Sequence, residues 1–414
     1  MKNKFIWDSH SDQPYPITDK KYKKAMKSKS LGDLFALLLT NILVFPLGVI
    51  GAYFLNKKSS YSADFFALCV NLDKGDIQVA LIEELECTSL QIRLPLADIA
   101  NLDKYLRFAE KFSNKKILIT VLQNREHIED HRLLEKHIKL IFQAFNDLAP
   151  MLQIGNAINR TKWGFFSVGE YLRFYQVVQK VRDQHFPNYL LVGPSVIDYE
   201  YHFTIRALFN SFKLRFDKLS ALLYVDRRGA PENTQMGIFD TSKKIDFLYA
   251  LSKFSPKTTA DILVTEVNWP LANTAPWAPT SETECVDEET YSNYMLRFYC
   301  LALASGKVEA VYWHQLIAPG YGLIDSRGGV RKRAAFYVFK QMLAMLQSAN
   351  VEKFSQLEGV YRLVCLKEGR KIEVLWLNSD TPVRYLSSQL VLDKMGRKIA
   401  GDIYINQSPI YVLH

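Results

Sequence analysis

Glu266, Arg93 and a set of amide and aromatic side chains share one property: each sits at or just beyond the end of a short apolar run. Arg93 ends SLQIRL, Gln123 and Asn124 follow KILITVL, Asn156 follows PMLQIG, and Ser195 and Asp198 follow YLLVGP. Tyr224 and Asp226 finish LSALLYV, Glu266, Asn268 and Trp269 finish DILVTEV, and Trp313 and His314 finish VEAVYW. A strand buried on both faces has no packing reason to finish on Glu or Arg, and an unpaired charge there is costly. Hydrogen-bonding groups and flat aromatic faces converging on one place suit a ligand instead, and they are the usual equipment for a sugar ring.

The elements that must position these groups alternate regularly. Eight apolar runs, at 64–71, 89–94, 116–122, 150–155, 189–194, 219–225, 261–267 and 308–313, read as buried parallel strands. Helical patterns at 76–85, 98–111, 129–147, 167–184, 201–212, 240–253, 287–305 and 331–347 separate them, which is the crossover length parallel strands need. Eight such units predict an α/β fold, a (β/α)8 TIM barrel over 61–350, whose chemistry sits at the C-terminal ends of its strands. No GxGxxG or P-loop follows the first strand, so no nucleotide cofactor is expected. The His and Cys spacings offer no metal site either.

Both ends of the chain differ from this middle. Residues 351–414 hold short strand-like runs (YRLVCLKEG, KIEVLWLNSD, RYLSSQLVLD, SPIYVLH) divided by turn residues, as in a small antiparallel β-sandwich domain. Residues 1–30 are polar and then lysine-rich, with six Lys in KKYKKAMKSKS. A hydrophobic segment follows at 31–58, and its 22 apolar positions 34–55 would span roughly 33 Å as a helix, enough to cross a membrane. Asn41, Pro46 and Gly48 interrupt it, so a kinked or re-entrant hairpin in one leaflet is the other reading.

Charge supports a membrane partner rather than nucleic acid. The first 60 residues carry ten Lys and four Asp, so six of the nine net positive charges lie there and the rest of the chain is nearly balanced. The expected location is the inner (plasma) membrane. The six lysines of the stretch adjoining the segment, against Lys57 and Lys58 after it, place the body outside by the positive-inside rule. The five scattered cysteines, with Cys69, Cys300 and Cys365 in apolar runs, suit a reducing compartment and hence the cytoplasmic side.

Around these strand ends the chain resembles the large clan of retaining glycoside hydrolases built on (β/α)8 barrels, especially the family 39 β-xylosidase-like enzymes that carry a small β-sandwich. The resemblance covers about residues 61–414. In that clan the fourth strand ends in Asn-Glu, the general acid/base, and the seventh ends in Glu, the nucleophile. Here LVTEVNWP resembles the second motif with Glu266, whereas GNAIN resembles the first with Ala157 in the Glu place. Arg93, Tyr224 and Trp313 match the clan's strand-two arginine, strand-six aromatic and strand-eight sugar platform. With the other groups at the strand ends, this gives an expected substrate-binding set of Arg93, Gln123, Asn156, Asp198, Tyr224, Asn268, Trp269, Trp313 and His314.

Retaining hydrolysis needs two carboxyls about 5 to 5.5 Å apart, and a methyl group transfers no proton. Three readings follow for Ala157. Another carboxyl supplies the proton, from Glu282, Glu284, Asp226, Asp198 or Glu170. Alternatively the leaving group needs none, as in a sugar phosphate or lipid-linked diphosphate sugar. In the third, the barrel only binds a glycan in envelope polysaccharide or lipopolysaccharide assembly. The expected partner in every case is an oligo- or polysaccharide or a lipid-linked sugar.

Overall fold

A computed structural model describes residues 5–55 and 64–414. Eight parallel strands close into a barrel: β1 (Phe66–Val70), β2 (Ser89–Pro95), β3 (Lys116–Leu122), β4 (Met151–Ile154), β5 (Leu190–Ile197), β6 (Lys218–Leu222), β7 (Ile262–Val267) and β8 (Val308–Trp313). Each strand pairs with its sequence neighbours and β8 pairs with β1, so no edge is left open. Ala67, Leu118, Met151, Val192, Leu263, Ala310 and Tyr312 fill the interior. Four of the helices between them begin at side-chain caps: Asp130, Ser167, Asp240 and Asp287 each accept a backbone amide of the following first turn.

After the barrel, five antiparallel strands form one sheet and Val383–Tyr385 pairs with Ile403–Ile405 in a second. Leu375, Leu377, Val391, Ile405, Ile410 and Val412 make a small core within this part. Its other face, with Leu363, Val374, Trp376 and Tyr411, joins the main core. A wholly buried ion pair of Arg297 and Glu232 locks the two parts together, since Trp376 Nε1 donates to Glu232 at 2.7 Å and Arg297 to Asn378 Oδ1 at 2.7 Å.

The N-terminus is built onto the barrel. The lysine-rich stretch forms helix α1 (Lys20–Ser28), and α2 (Leu31–Phe54) is one continuous helix through Asn41, Pro46 and Gly48, so the re-entrant hairpin is not formed. Asn41 instead donates to the carbonyls of Leu37 and His202, and Phe45 stacks on Tyr201 with ring centroids 4.6 Å apart. The two glycines have a packing reason: a Cβ at Gly48 would come within 2.8 Å of Phe247, and one at Gly51 within 2.7 Å of Phe254. Asp33 pins the other end, accepting from Gly169 N at 2.8 Å and pairing with Arg206 at 2.9 Å. By length and composition α2 is able to cross a membrane. One stripe of it nevertheless lies along helices Tyr201–Leu208 and Thr241–Phe254, and the opposite stripe, Phe35, Leu38, Ile42 and Leu47 among it, is exposed.

Candidate active site

Glu266 stands near the C-terminal end of β7 and is held in place by two donors. Tyr224 Oη donates to Oε1 at 2.6 Å and Asn156 Nδ2 to Oε2 at 3.3 Å. Asn156 is itself fixed by Gln123, whose side chain accepts from Asn156 N at 2.9 Å and donates to the Asn156 carbonyl at 2.8 Å. Gln123 is therefore a positioning residue behind the site. Burial opposes ionisation of Glu266, but the His314 imidazole, the Arg93 guanidinium and the two hydrogen bonds outweigh it and lower its pKa. Tyr224 moves the opposite way, raised by burial and by the Glu266 charge, so it remains a donor. Burial and the Arg93 charge lower the pKa of His314 despite the nearby Glu266, and its Nδ1 has no partner.

A chamber of about 190 Å³ opens above these groups. Arg93, Asp198, Tyr224, Glu266, Asn268 and His314, all expected from the strand ends, line it. Ala157 lies in its wall, fully buried against Leu122, Trp163 and Tyr224. Its φ is 45°, and Ser195 (58°), Asp198 (61°) and Arg228 (54°) share the left-handed region at neighbouring strand ends. Such strained positions cluster where a structure over-determines a functional site.

Other expected residues lie elsewhere. Trp313 and Trp269 are wholly buried and stack on each other outside the chamber, with Trp313 Nε1 donating to Tyr291 Oη at 2.7 Å. Asp226 is exposed and does not line the chamber. Neither does Glu282 or Glu284; Glu282 accepts from Asn273 N at 2.7 Å. Glu170 pairs with Arg125 at 3.0 Å. Among the described residues the carboxyls on the chamber wall besides Glu266 are Asp198 and Asp12, and both are taken by arginines: Asp198 by Arg160 at 2.7 Å and Asp12 by Arg93 at 2.6 Å. No grouping of three or more His, Cys, Asp or Glu there suits a metal ion.

Asp12 comes from a feature not foreseen. Trp7–Asp8 pairs with Gln13–Pro14 in a hairpin that roofs the barrel mouth. The Asp12 carboxylate also accepts from Asn71 at 3.0 Å and Gln315 at 3.3 Å, and Tyr321 Oη donates to the Ser11 carbonyl at 3.3 Å. Arg93 lies beside the Trp7 and Trp163 rings, 5.8 and 5.7 Å from their centroids, and the two rings meet edge to face at 5.7 Å. On the far side of this pair lies a second cavity of about 540 Å³ that also touches Trp7, Asp12 and Arg93. The hairpin thus divides the mouth in two. Its signal in the sequence was the aromatic and proline content of residues 5–16, unusual for a solvated tail.

A closed eightfold parallel barrel followed by antiparallel sheets is a fold that this chain shares with solved glycoside hydrolases. Solved structures of families 39, 30 and 51 are its neighbours. The chain is similar to a family 39 glycoside hydrolase from the gut symbiont Bacteroides cellulosilyticus WH2, with TM-score 0.62, 14% identity and coverage of 85% of this chain and 81% of that one. It is similar to a family 30 endoxylanase from Clostridium papyrosolvens C71 (TM-score 0.58, 11% identity, 86% and 97% covered). A family 51 α-L-arabinofuranosidase from Bifidobacterium longum gives TM-score 0.57 at 14% identity, with 87% and 97% covered. At these identities the likeness establishes the fold. No family profile matches the sequence, and no curated protein matches it.

Proposed function

We propose that this chain is a membrane-associated glycosidase-type enzyme acting on a cell-envelope saccharide or lipid-linked sugar, with Glu266 as nucleophile and no general acid at position 157. The observation that carries this reading is the setting of Glu266: oriented by hydrogen bonds from Tyr224 and Asn156, beside Arg93, and lining a chamber of about 190 Å³. A remnant kept only for shape has no need of a carboxylate held against burial by two donors. The exposed apolar stripe of α2 and the lysines of α1 support the membrane association. Ala157 favours one second reading, a glycan-binding protein without turnover, because each other chamber carboxyl is committed to an arginine.

The test uses aryl glycosides and glycosyl fluorides, whose leaving groups need no proton. Turnover that disappears in Glu266→Gln and accelerates with azide supports the enzyme, azide standing in for water that lacks a general base. Saccharide binding without turnover of any activated donor establishes the second reading instead.

A further inference from the structure

Where a proton donor is expected, the chamber presents cations. Lys162 lies five positions beyond Ala157 on the same loop and lines the chamber with Glu266. Gln13 Oε1 accepts from its ammonium at 2.6 Å, and no carboxylate among the described residues pairs with it. Burial lowers its pKa, reinforced by Arg160. Arg228, from the loop after β6, lies 3.8 Å over the Tyr224 ring that donates to Glu266. Its closest carboxylate, Asp198, is 3.7 Å away, and its Nη1 is buried without a partner. Two further nitrogens on the wall are unpaired: Nε of Arg93 and Nδ1 of His314, each in a residue about 6% exposed.

The carboxylates absorb these charges only in part. Asp12 is engaged by Arg93, Arg160 is shared between Asp198 and Glu200, and Asp198 also reaches Arg228 at 3.7 Å; Lys162 lines the chamber with no carboxylate partner, and Arg228 lines it with one nitrogen, Nη1, unpartnered. A neutral sugar brings no negative charge to these two half-buried cations. Phosphate does, because its oxygens accept several charge-assisted hydrogen bonds at once.

We infer that Lys162 and Arg228 form an anion subsite beside Ala157 that takes the phosphate leaving group of a glycosyl phosphate, the cations replacing the missing acid. This rests on Glu266 being the nucleophile. A Glu266 oxygen bonds to the anomeric carbon as the bond from that carbon to the phosphate oxygen breaks, and the electron pair leaves on phosphate with no proton needed. Water then attacks the anomeric carbon, the ester bond to Glu266 breaks, its electrons return to the carboxylate, and the water proton passes to the departing phosphate or to solvent. The sum is glycosyl phosphate plus water giving free sugar and phosphate. The same phosphate chemistry is offered by a soluble sugar 1-phosphate and by a polyprenyl-linked sugar.

Titration of inorganic phosphate into the purified full chain separates the subsite from the nucleophile. Lys162→Met and Arg228→Gln each weaken phosphate binding by about ten- to a hundredfold, and Glu266→Gln, which removes a repelling charge, retains or tightens it. Hydrolysis of sugar 1-phosphates outpaces that of unactivated aryl glycosides and is lost in Glu266→Gln. Preference for a polyprenyl phosphosugar in detergent over the free 1-phosphate identifies the lipid-linked source. No phosphate binding, binding unchanged in both cation variants, or tighter binding of a uronate than of phosphate overturns the subsite while leaving the Glu266 reading standing. Phosphate binding that responds to the variants without turnover of any glycosyl phosphate overturns the nucleophile instead.

Discussion

Asp12→Ala should loosen the hairpin over the mouth without unfolding the barrel. The substitution removes the acceptor of three side chains: Arg93 at 2.6 Å, Asn71 at 3.0 Å and Gln315 at 3.3 Å. The Arg93 side chain is 5% exposed and that of Asp12 17%, so the pair is largely withdrawn from water. Breaking a buried pair on one side costs about 3–5 kcal/mol. Water reaches Asp12 from the mouth and Glu266 continues to attract Arg93, which brings the expected loss to about 2–3 kcal/mol. The loss is local: the barrel still holds the hairpin through Arg93 on the Asp12 carbonyl, Lys162 on Gln13 and the Trp7–Trp163 contact, so the roof loosens rather than detaches, and hydrogen exchange reads it directly. The Tyr15 amide, which donates to the Ile6 carbonyl at 2.8 Å, should lose protection by about 30- to 150-fold while amides of β4 keep theirs. Trypsin should reach Lys20 and Lys21 sooner, and the two cavities should merge into one cleft. Asp12→Asn keeps an oxygen for Arg93 and should show a smaller change. Protection at Tyr15 altered less than threefold would refute the view that Asp12 holds the roof down.

Restoring a carboxyl tests the proposed deficit. Ala157→Glu should raise turnover of glycosides with poor leaving groups by about 10²–10⁴, with azide no longer accelerating; a folded variant with no gain counts against Glu266 as its partner. Tyr224→Phe removes a hydrogen bond that favours the Glu266 anion, so the carboxyl pKa rises and the acidic limb of the pH–rate profile moves to higher pH. In the C-terminal sheet Glu373 is desolvated, yet Arg362 and Lys371 bring its pKa down to about 2. A carboxyl lowered on folding stabilises above its unfolded pKa, so on the order of 2 kcal/mol should be lost as pH falls from about 5 toward 2, and Glu373→Gln should flatten that slope. Acid denaturation curves of the two proteins measure this.

Much of the barrel was legible because its strands are buried on both faces and several of its helices carry side-chain caps. The expected runs at 116–122 and 308–313 coincide with β3 and β8, and DFFALCVN contains β1. Glu266 was legible for the same reason: a charge closing an apolar run has few bland explanations. Trp313 was harder, because consecutive strand residues point to opposite faces. Its neighbour Tyr312 fills the barrel interior, while Trp313 packs outward against Trp269 and Tyr299. Nothing in VEAVYW alone decides which of the two reaches the mouth. The roof was least legible. Asp12 meets Asn71, Arg93 and Gln315 across 59, 81 and 303 positions of sequence, a distance over which periodicity carries no information. Local polarity likewise left α2 ambiguous; only Phe247 and Phe254, two hundred residues on, show what Gly48 and Gly51 are small for.

The clasp on α2 has a mechanical consequence. With Asp33 bound at one end and Gly51 seated against Phe254 near the other, the helix cannot roll or tilt without dragging the barrel along. The stripe of leucines and phenylalanines on its free side therefore behaves as a keel fixed to the hull rather than as a tether. Whatever surface that keel settles on, its depth sets the height of the chamber entrance. The short span from Phe35 back to Asp12 then makes the roof the part of the site nearest in chain to the point of contact.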